Sequence, residues 1–187
     1  MEIVLLRHGK PRVDLKGYLS VKEIKQLIED YAQSGIQDKP NNKLINKFSN
    51  HFVICSDLIR SKKSAKELGL NSIHLSDSLF KEADLPHFDN NILKLPVVAW
   101  VVLLRILWLF GFKKNGESFL EAKERSKCAA EKLIELAKQN EKIIVVGHGL
   151  MNRLIAKQLQ KKGWHESERA GRSYWEFRQY STSHRKG

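Results

Sequence analysis

Two four-residue apolar runs, Ile3-Val4-Leu5-Leu6 and Ile143-Ile144-Val145-Val146, constrain this chain more than any other feature. Arg7-His8-Gly9 follows the first and Gly147-His148-Gly149 the second. A short apolar run bounded by Gly or Pro reads as a buried strand. An open α/β sheet binds its ligands at the carboxyl ends of such strands. Two strands that each deliver a histidine beside a glycine therefore predict one site, built from both ends of the chain. An arginine next to an imidazole suits an anionic group, most simply a phosphate.

Between the two runs the pattern alternates. Strands are predicted at Glu2–Leu6, Phe52–Cys55, Ser72–Leu75, Lys142–Val146 and Tyr174–Tyr180, the last with period-two alternation and placed at an edge. A first helix starts at the capping box Ser20-Val21-Lys22-Glu23 and stops at Gly35. Others are predicted over about 60–68, 117–140 and 150–162, with Gly69 and Gly163 as stops. Strands alternating with helices predict an α/β three-layer sandwich, a mainly parallel sheet flanked by helices. At 187 residues the chain reads as a single domain, 1–187.

Charge narrows the partners. The formal net charge is +12, but its lysines are spread over different elements and no aromatics interleave with them. That pattern predicts solvated faces and general anion attraction, not a dedicated nucleic-acid groove. Cys55 and Cys128 are too few for a disulfide scaffold and read as two reduced core thiols. No secretory signal pattern is seen at the start, so a cytoplasmic protein is expected.

One segment departs from the soluble pattern. Residues 95–112 are apolar nearly all round, with Pro96 suited to a first helical turn and Gly111 to a stop. As a helix the stretch between Pro96 and Gly111 would cover only about 21 Å against the roughly 30 Å of a bilayer core. A span there would also put His8 and His148 on opposite sides of the membrane. The segment is therefore read as a helical insertion at about 93–112 that serves as a core or lid helix or a homodimer contact. Peripheral contact with a membrane surface through 96–112 is the other reading.

Phosphoryl transfer needs a nucleophile, cations around the phosphoryl oxygens and an acid for the leaving group. His8 supplies a nucleophile as the neutral imidazole, with Arg7 adjacent. Arg60, in Cys55-Ser56-Asp57-Leu58-Ile59-Arg60-Ser61, and His148 each stand where a strand gives way to a helix, whose first amides also favour an anion. Glu82 follows the third strand and is the candidate acid, with the nearby Asp84 as the alternative. Gly9 and Lys10, beside His8, are counted with the substrate-binding residues. Asp57 is expected to cap or brace its loop and Glu117 to begin a helix. His87 is placed at the pocket rim.

These pieces together resemble the histidine phosphatase superfamily, the phosphoglycerate-mutase-like fold. The likeness rests on Leu6-Arg7-His8-Gly9, Ser56-Asp57-Leu58-Ile59-Arg60-Ser61 with Ser64-Ala65, Glu82, Gly116-Glu117-Ser118 and Val145-Val146-Gly147-His148-Gly149, in that order over about residues 2–160. The resemblance implies that His8 attacks phosphorus and becomes a phosphohistidine. It implies that Arg7, Arg60 and His148 hold the phosphoryl oxygens, and that Glu82 protonates the leaving oxygen and then activates water. No metal or cofactor is implied. Mutases of the family carry an asparagine where Asp14 stands, and a Trp-Glu-Gly where Pro86-His87-Phe88-Asp89 stands. An ionised aspartate cannot donate to a phosphate and repels it. The resemblance therefore favours a phosphatase acting on a phosphorylated small molecule or a phosphoprotein, with a phosphomutase and a phosphohistidine-protein phosphatase as alternatives. A non-catalytic protein that binds phospho-ligands or docks on membranes is the reading from another class.

Overall fold

A computed structural model describes residues 1–86, 93–114, 116–171 and 173–182. The two apolar runs become strands β1 (Glu2–Arg7) and β6 (Lys142–Gly147), hydrogen-bonded in parallel with Arg7 opposite Gly147. Strand β3 (Phe52–Cys55) pairs in parallel with the other side of β6, and β4 (Leu75–Ser76) with β3. Strand β8 (Phe177–Ser181) runs antiparallel to β1, and β7 (His165–Ala170) antiparallel to β8. The order across the sheet is β4-β3-β6-β1-β8-β7.

Successive residues of a strand point to opposite faces, so a continuous apolar run demands cover on both sides. One face, from Ile3, Leu5, Ile143 and Val145, packs on helices α4 (Phe119–Asn140) and α5 (Gly149–Lys161) through Ala129, Leu133, Ile155 and Leu159. The other, from Val4, Leu6, Ile144 and Val146, packs on Ala65 and Leu68 around α2 (Ile59–Glu67) and on Phe48. All eight strand residues are buried. Truncating one of the leucines to alanine would cost about 2–5 kcal/mol. The three layers expected from the sequence are present.

Helix α1 (Val21–Gln33) begins at the Ser20/Glu23 capping box, as predicted. It ends one residue before Gly35, at an extended Ser34 whose N–H still reaches the Tyr31 carbonyl. Helix α4 starts at a second capping box, Ser118 with Glu121, which leaves Glu117 just outside the helix it was expected to begin. Two strands differ more. The third pairs only at Leu75–Ser76, because polar, exposed residues 71–72 precede it. The last begins at Phe177 and not at Tyr174, because Trp175 holds a positive φ of 61° that breaks extended geometry. It lies inside the sheet. The edge belongs to β7, a fully exposed run with no large apolar residue, which sequence alternation did not announce. Its charged side chains suit an unpaired edge. Cys55 is buried, but Cys128 is exposed on α4 and is not a core thiol.

The insertion forms a short strand, β5 (Lys94–Pro96), then helix α3 (Val97–Leu109). Strand β5 pairs antiparallel with β2 (Tyr18–Ser20). One face of α3 is core: Val97, Trp100 and Leu104 pack on Val21 and Ile24 of α1. Trp108 fills a second cluster with Ala83, Ala122 and Leu154. Both indoles are satisfied, Trp100 donating to the Leu19 carbonyl at 2.7 Å and Trp108 to that of Glu117 at 2.8 Å. Gly111, at φ 87°, closes the helix, with its own N–H on Trp108 and that of Phe112 on Leu107. Among the described residues no helix is long and apolar enough to cross a membrane.

Candidate active site

Register builds the site. With Arg7 opposite Gly147, the next residues of the two strands, His8 and His148, emerge side by side at the carboxyl edge of the sheet. The His8 amide donates to the Gly147 carbonyl at 3.0 Å, and the two imidazole centroids lie 4.9 Å apart. Cys55 pairs with Val146, so Ser56 emerges next in line and its hydroxyl contacts His148 Nε2 at 2.7 Å. The two apolar runs thus determine which side chains meet.

His8 is buried, and its Nδ1 lies 2.6 Å from the Gly9 carbonyl. A carbonyl can only accept, so the ring proton sits on Nδ1 and the Nε2 lone pair is left free. Burial, and then the positive charges of Arg60 and Arg7, push the His8 pKa down to about 3. His148 is buried as well, and its pKa is held well below the ordinary value by burial first, then by His8 and the arginines. At neutral pH both rings are uncharged. The Ser56 hydroxyl accepts from the Leu58 amide at 3.4 Å and can give its own proton to His148 Nε2. The His148 proton then belongs to Nδ1, a buried atom without a protein partner.

Two arginines supply the charge. Arg60, at the start of α2, is buried and donates to the Tyr31 and Ala32 carbonyls at 2.8 and 3.2 Å. Those bonds dock α2 on the end of α1. Arg7 lies with its guanidinium 4.3 Å from the Tyr174 ring centroid. A Cβ on Gly149 would fall 3.1 Å from Arg7 Nε, so the glycine after His148 is what lets the guanidinium lie there. The Nε atoms of both arginines are buried without a protein acceptor. Orphaned donors of this kind are costly in a protein interior. The charges of both arginines help to hold the pKa of both histidines down.

Hydroxyls brace the loops. Ser64 accepts from the Gly9 amide at 2.9 Å and donates to the Arg60 carbonyl at 2.7 Å, tying β1 to α2. Ser61 accepts from the Ser56 amide at 3.1 Å and donates to the Val146 carbonyl. Asn152 donates to the Leu6 carbonyl at 3.1 Å.

Glu82 meets the site through α5. Its carboxylate accepts from the Leu150 and Met151 amides at 3.2 and 3.0 Å, on the first turn after His148. The helix end favours a negative charge there. The loop that carries Glu82 is clamped by Arg125, which donates to the Leu79 and Lys81 carbonyls at 2.8 and 2.9 Å and pairs with Glu117. Asp77 caps the preceding turn and pairs with Lys132 at 2.7 Å. Asp84, the neighbouring carboxylate, is half exposed and faces Lys81 at 3.4 Å.

The structure therefore brings Arg7, His8, Gly9, Arg60, Glu82 and His148 to one end of the sheet. Lys10 is exposed, its amide donates to Asp38, and it lines a cleft of about 520 Å³ with Asp14, Tyr31 and Tyr174, the two tyrosine rings also meeting Arg60 and Arg7. Asp57 caps nothing, since Leu58 is the N-cap of α2 and makes no side-chain cap bond. His51 and His74 bond to Glu2 and to the Val53 amide, away from the site. His87 lies outside the described residues. The sequence reading gave no role to four participants: Tyr174, Ser64, Arg125 and Arg105. Arg105 interrupts the apolar stretch of α3 because it turns inward. It lies 4.9 Å from the Trp108 ring, reaches the Ala83 carbonyl at 3.4 Å and is influenced by the charges of Glu82 and Asp84. A lone charge inside an apolar run was the available signal.

Known structures share this arrangement of sheet and helices. A mycobacterial glucosyl-3-phosphoglycerate phosphatase, in complex with VO3, superposes with a TM-score of 0.61 at 18% identity, over 96% of this chain and 92% of that one. A variant phosphoserine phosphatase from Entamoeba histolytica, in complex with phosphoserine, gives 0.59 at 18% identity, over 98% and 91%. Both are mainly parallel α/β folds of the phosphoglycerate-mutase-like kind. A search of curated proteins returned no match. The sequence profile of the histidine phosphatase superfamily (branch 1) matches residues 3–185, and this chain belongs to that superfamily.

Proposed function

We propose that this protein is a metal-independent phosphatase that hydrolyses a phosphomonoester through a phosphohistidine on His8. The observation that carries this reading is the buried pair His8–His148, with a free Nε2 on one ring and an unpartnered Nδ1 on the other, and two arginines with orphaned Nε donors. Phosphatase names on both structural neighbours agree with it.

In this mechanism the His8 Nε2 lone pair attacks phosphorus. The N–P bond forms as the bond to the ester oxygen breaks. Arg7, Arg60 and His148 Nδ1–H donate to the three equatorial oxygens, where charge is spread in the transition state. Fixed guanidinium cations take the neutralising role that a metal ion plays elsewhere. Glu82 gives its proton to the departing oxygen. Its carboxylate then takes a proton from water, which attacks phosphorus and releases phosphate and free His8. Three backbone donors, the amides of Ala83, Leu150 and Met151, hold the Glu82 carboxylate at rest, and it takes up a proton from solvent before the acid step. Glu82 must exchange some of these bonds for the leaving group, and the acid step is thereby coupled to substrate entry.

Hydrolysis of an aryl phosphate in the presence of EDTA, wild type against His8→Ala, tests the proposal. Turnover in wild type that disappears in the variant supports it. Turnover that needs added metal, or that survives in His8→Ala, refutes it.

A further inference from the structure

The apolar residues left uncovered are concentrated. Among the described residues, six of the thirteen exposed large hydrophobics belong to α3 and its cap: Val98, Val101, Val102, Ile106, Leu109 and Phe110. Phe110 is 88% exposed and Val98 67%. At helical spacing all but Val101 fall on the side of α3 turned away from Trp100, Leu104 and Trp108, which are core. A soluble surface seldom carries such a strip without a partner.

Charge indicates the partner. From Leu93 to Gly116 the chain has no acidic residue, while Lys94 stands before the helix and Lys113 and Lys114 follow it. Lys94 and Lys113 are exposed. Acidic groups do approach both ends. Glu121 pairs with Lys113 at 2.5 Å, and Glu23 feels the charge of Lys94. The remainder of the chain is basic too, with a net charge of +12. Tyr18, 72% exposed and paired with Pro96 at the head of the helix, adds an aromatic at the border of the strip. An apolar helix face edged by lysines and an aromatic is the chemistry of a helix lying in the headgroup layer of an anionic bilayer.

Size argues against a second copy of the chain as the occupant. A 13-residue helix is about 20 Å long. A strip of that length and one helix width covers about 200 Å², against about 800 Å² per partner in a stable protein interface. A bilayer needs no matching shape and can be entered by such a strip alone. The helix does not span, since nothing among the described residues is long enough.

We propose that the outer face of α3 docks this protein on anionic lipid surfaces, with Val98, Val102, Leu109 and Phe110 entering the apolar boundary and Lys94 and Lys113 meeting the headgroups. This inference is independent of the phosphatase reading.

Co-sedimentation with vesicles tests it, using phosphatidylcholine alone and phosphatidylcholine mixed with phosphatidylglycerol. The full chain is compared with Val102→Asp/Phe110→Asp and with Lys94→Glu/Lys113→Glu, each checked for its fold by circular dichroism and for its mass by light scattering. Expected is binding to the mixed vesicles that falls about tenfold or more in both variants and is weak on phosphatidylcholine alone. Equal binding by the Val102/Phe110 variant, or no binding by the wild type, overturns the proposal. A wild-type dimer that the same variant converts to monomer, without vesicle binding, assigns the strip to a second copy and also overturns it.

Discussion

The carboxyl end of the sheet and the outer face of α3 are built from similar apolar runs, yet they end in opposite ways. At the sheet, Ile3–Leu6 and Ile143–Val146 are covered on both faces, and their burial aligns His8 with His148. On α3, an apolar stretch more than twice as long is covered on one face only. Polar placement accounts for the difference. At the sheet end the Nε atoms of Arg7 and Arg60 and the Nδ1 of His148 are buried without protein partners, so the uncompensated chemistry there calls for an anion. On α3 both tryptophan N–H groups have carbonyl partners and one buried Arg105 nitrogen on the inner side lacks one, while what the outer face leaves uncompensated is apolar surface. One region waits for charge and the other for oil.

The largest test of that contrast is Glu82→Gln against Asp84→Asn. If Glu82 supplies the proton, its amide variant loses about 10²–10⁴-fold in kcat on an ester with a poor leaving group. Asp84→Asn changes little, as befits a half-exposed carboxylate beside Lys81. The reverse ranking would move the acid to Asp84. Loss in Glu82→Gln should shrink on an ester whose leaving group needs no proton.

Next in size is the inner face of α3. Trp108 is fully buried against Phe119 and donates to Glu117, so Trp108→Ala should cost about 3–5 kcal/mol in denaturant unfolding. A cost below 1 kcal/mol would mean that the insertion is not part of the core.

Acid titration comes third. The His8 pKa is lowered from 6.5 to about 3, so the unfolded chain binds a proton that the folded chain refuses within that window. The contribution of His8 to stability is present above pH 6.5 and is lost as pH falls toward 3, at about 1.4 kcal/mol per unit. His8→Asn should flatten this part of the stability profile. An unchanged slope would mean that the ring is already protonated in the folded state.

Smallest is the outer face. Val98→Ser should leave stability within about 0.5 kcal/mol and phosphatase activity unaltered, because the side chain touches no core cluster. A large loss of either would merge the two regions into one.

The same contrast explains what could be read in the sequence. The strand ends were legible because a buried strand has a fixed length and direction, so the residue after it has a fixed place. That logic located His8, His148 and Arg60 from local pattern, and the three-layer sheet with them. It failed at β7, whose six residues bury nothing and so leave no apolar period. Trp175 defeated it as well: an apparent strand position takes a positive φ that only tertiary packing sustains. Arg125 and Ser64 brace the site across 44 and 55 residues of chain, and no local spacing records such bonds. On α3 the apolar residues run all round the helix, so no period distinguished the buried face from the open one.

The central claim is a covalent bond from His8 to phosphorus, and trapping that bond is its most direct test. Wild-type protein would be mixed with a radiolabelled phosphomonoester, quenched in alkali within the first turnover and mapped by peptide. Label that is stable to base and labile to acid, on the peptide bearing His8 and absent from His8→Ala, is the predicted result. Turnover with no label on that peptide, or label on another residue, would contradict it.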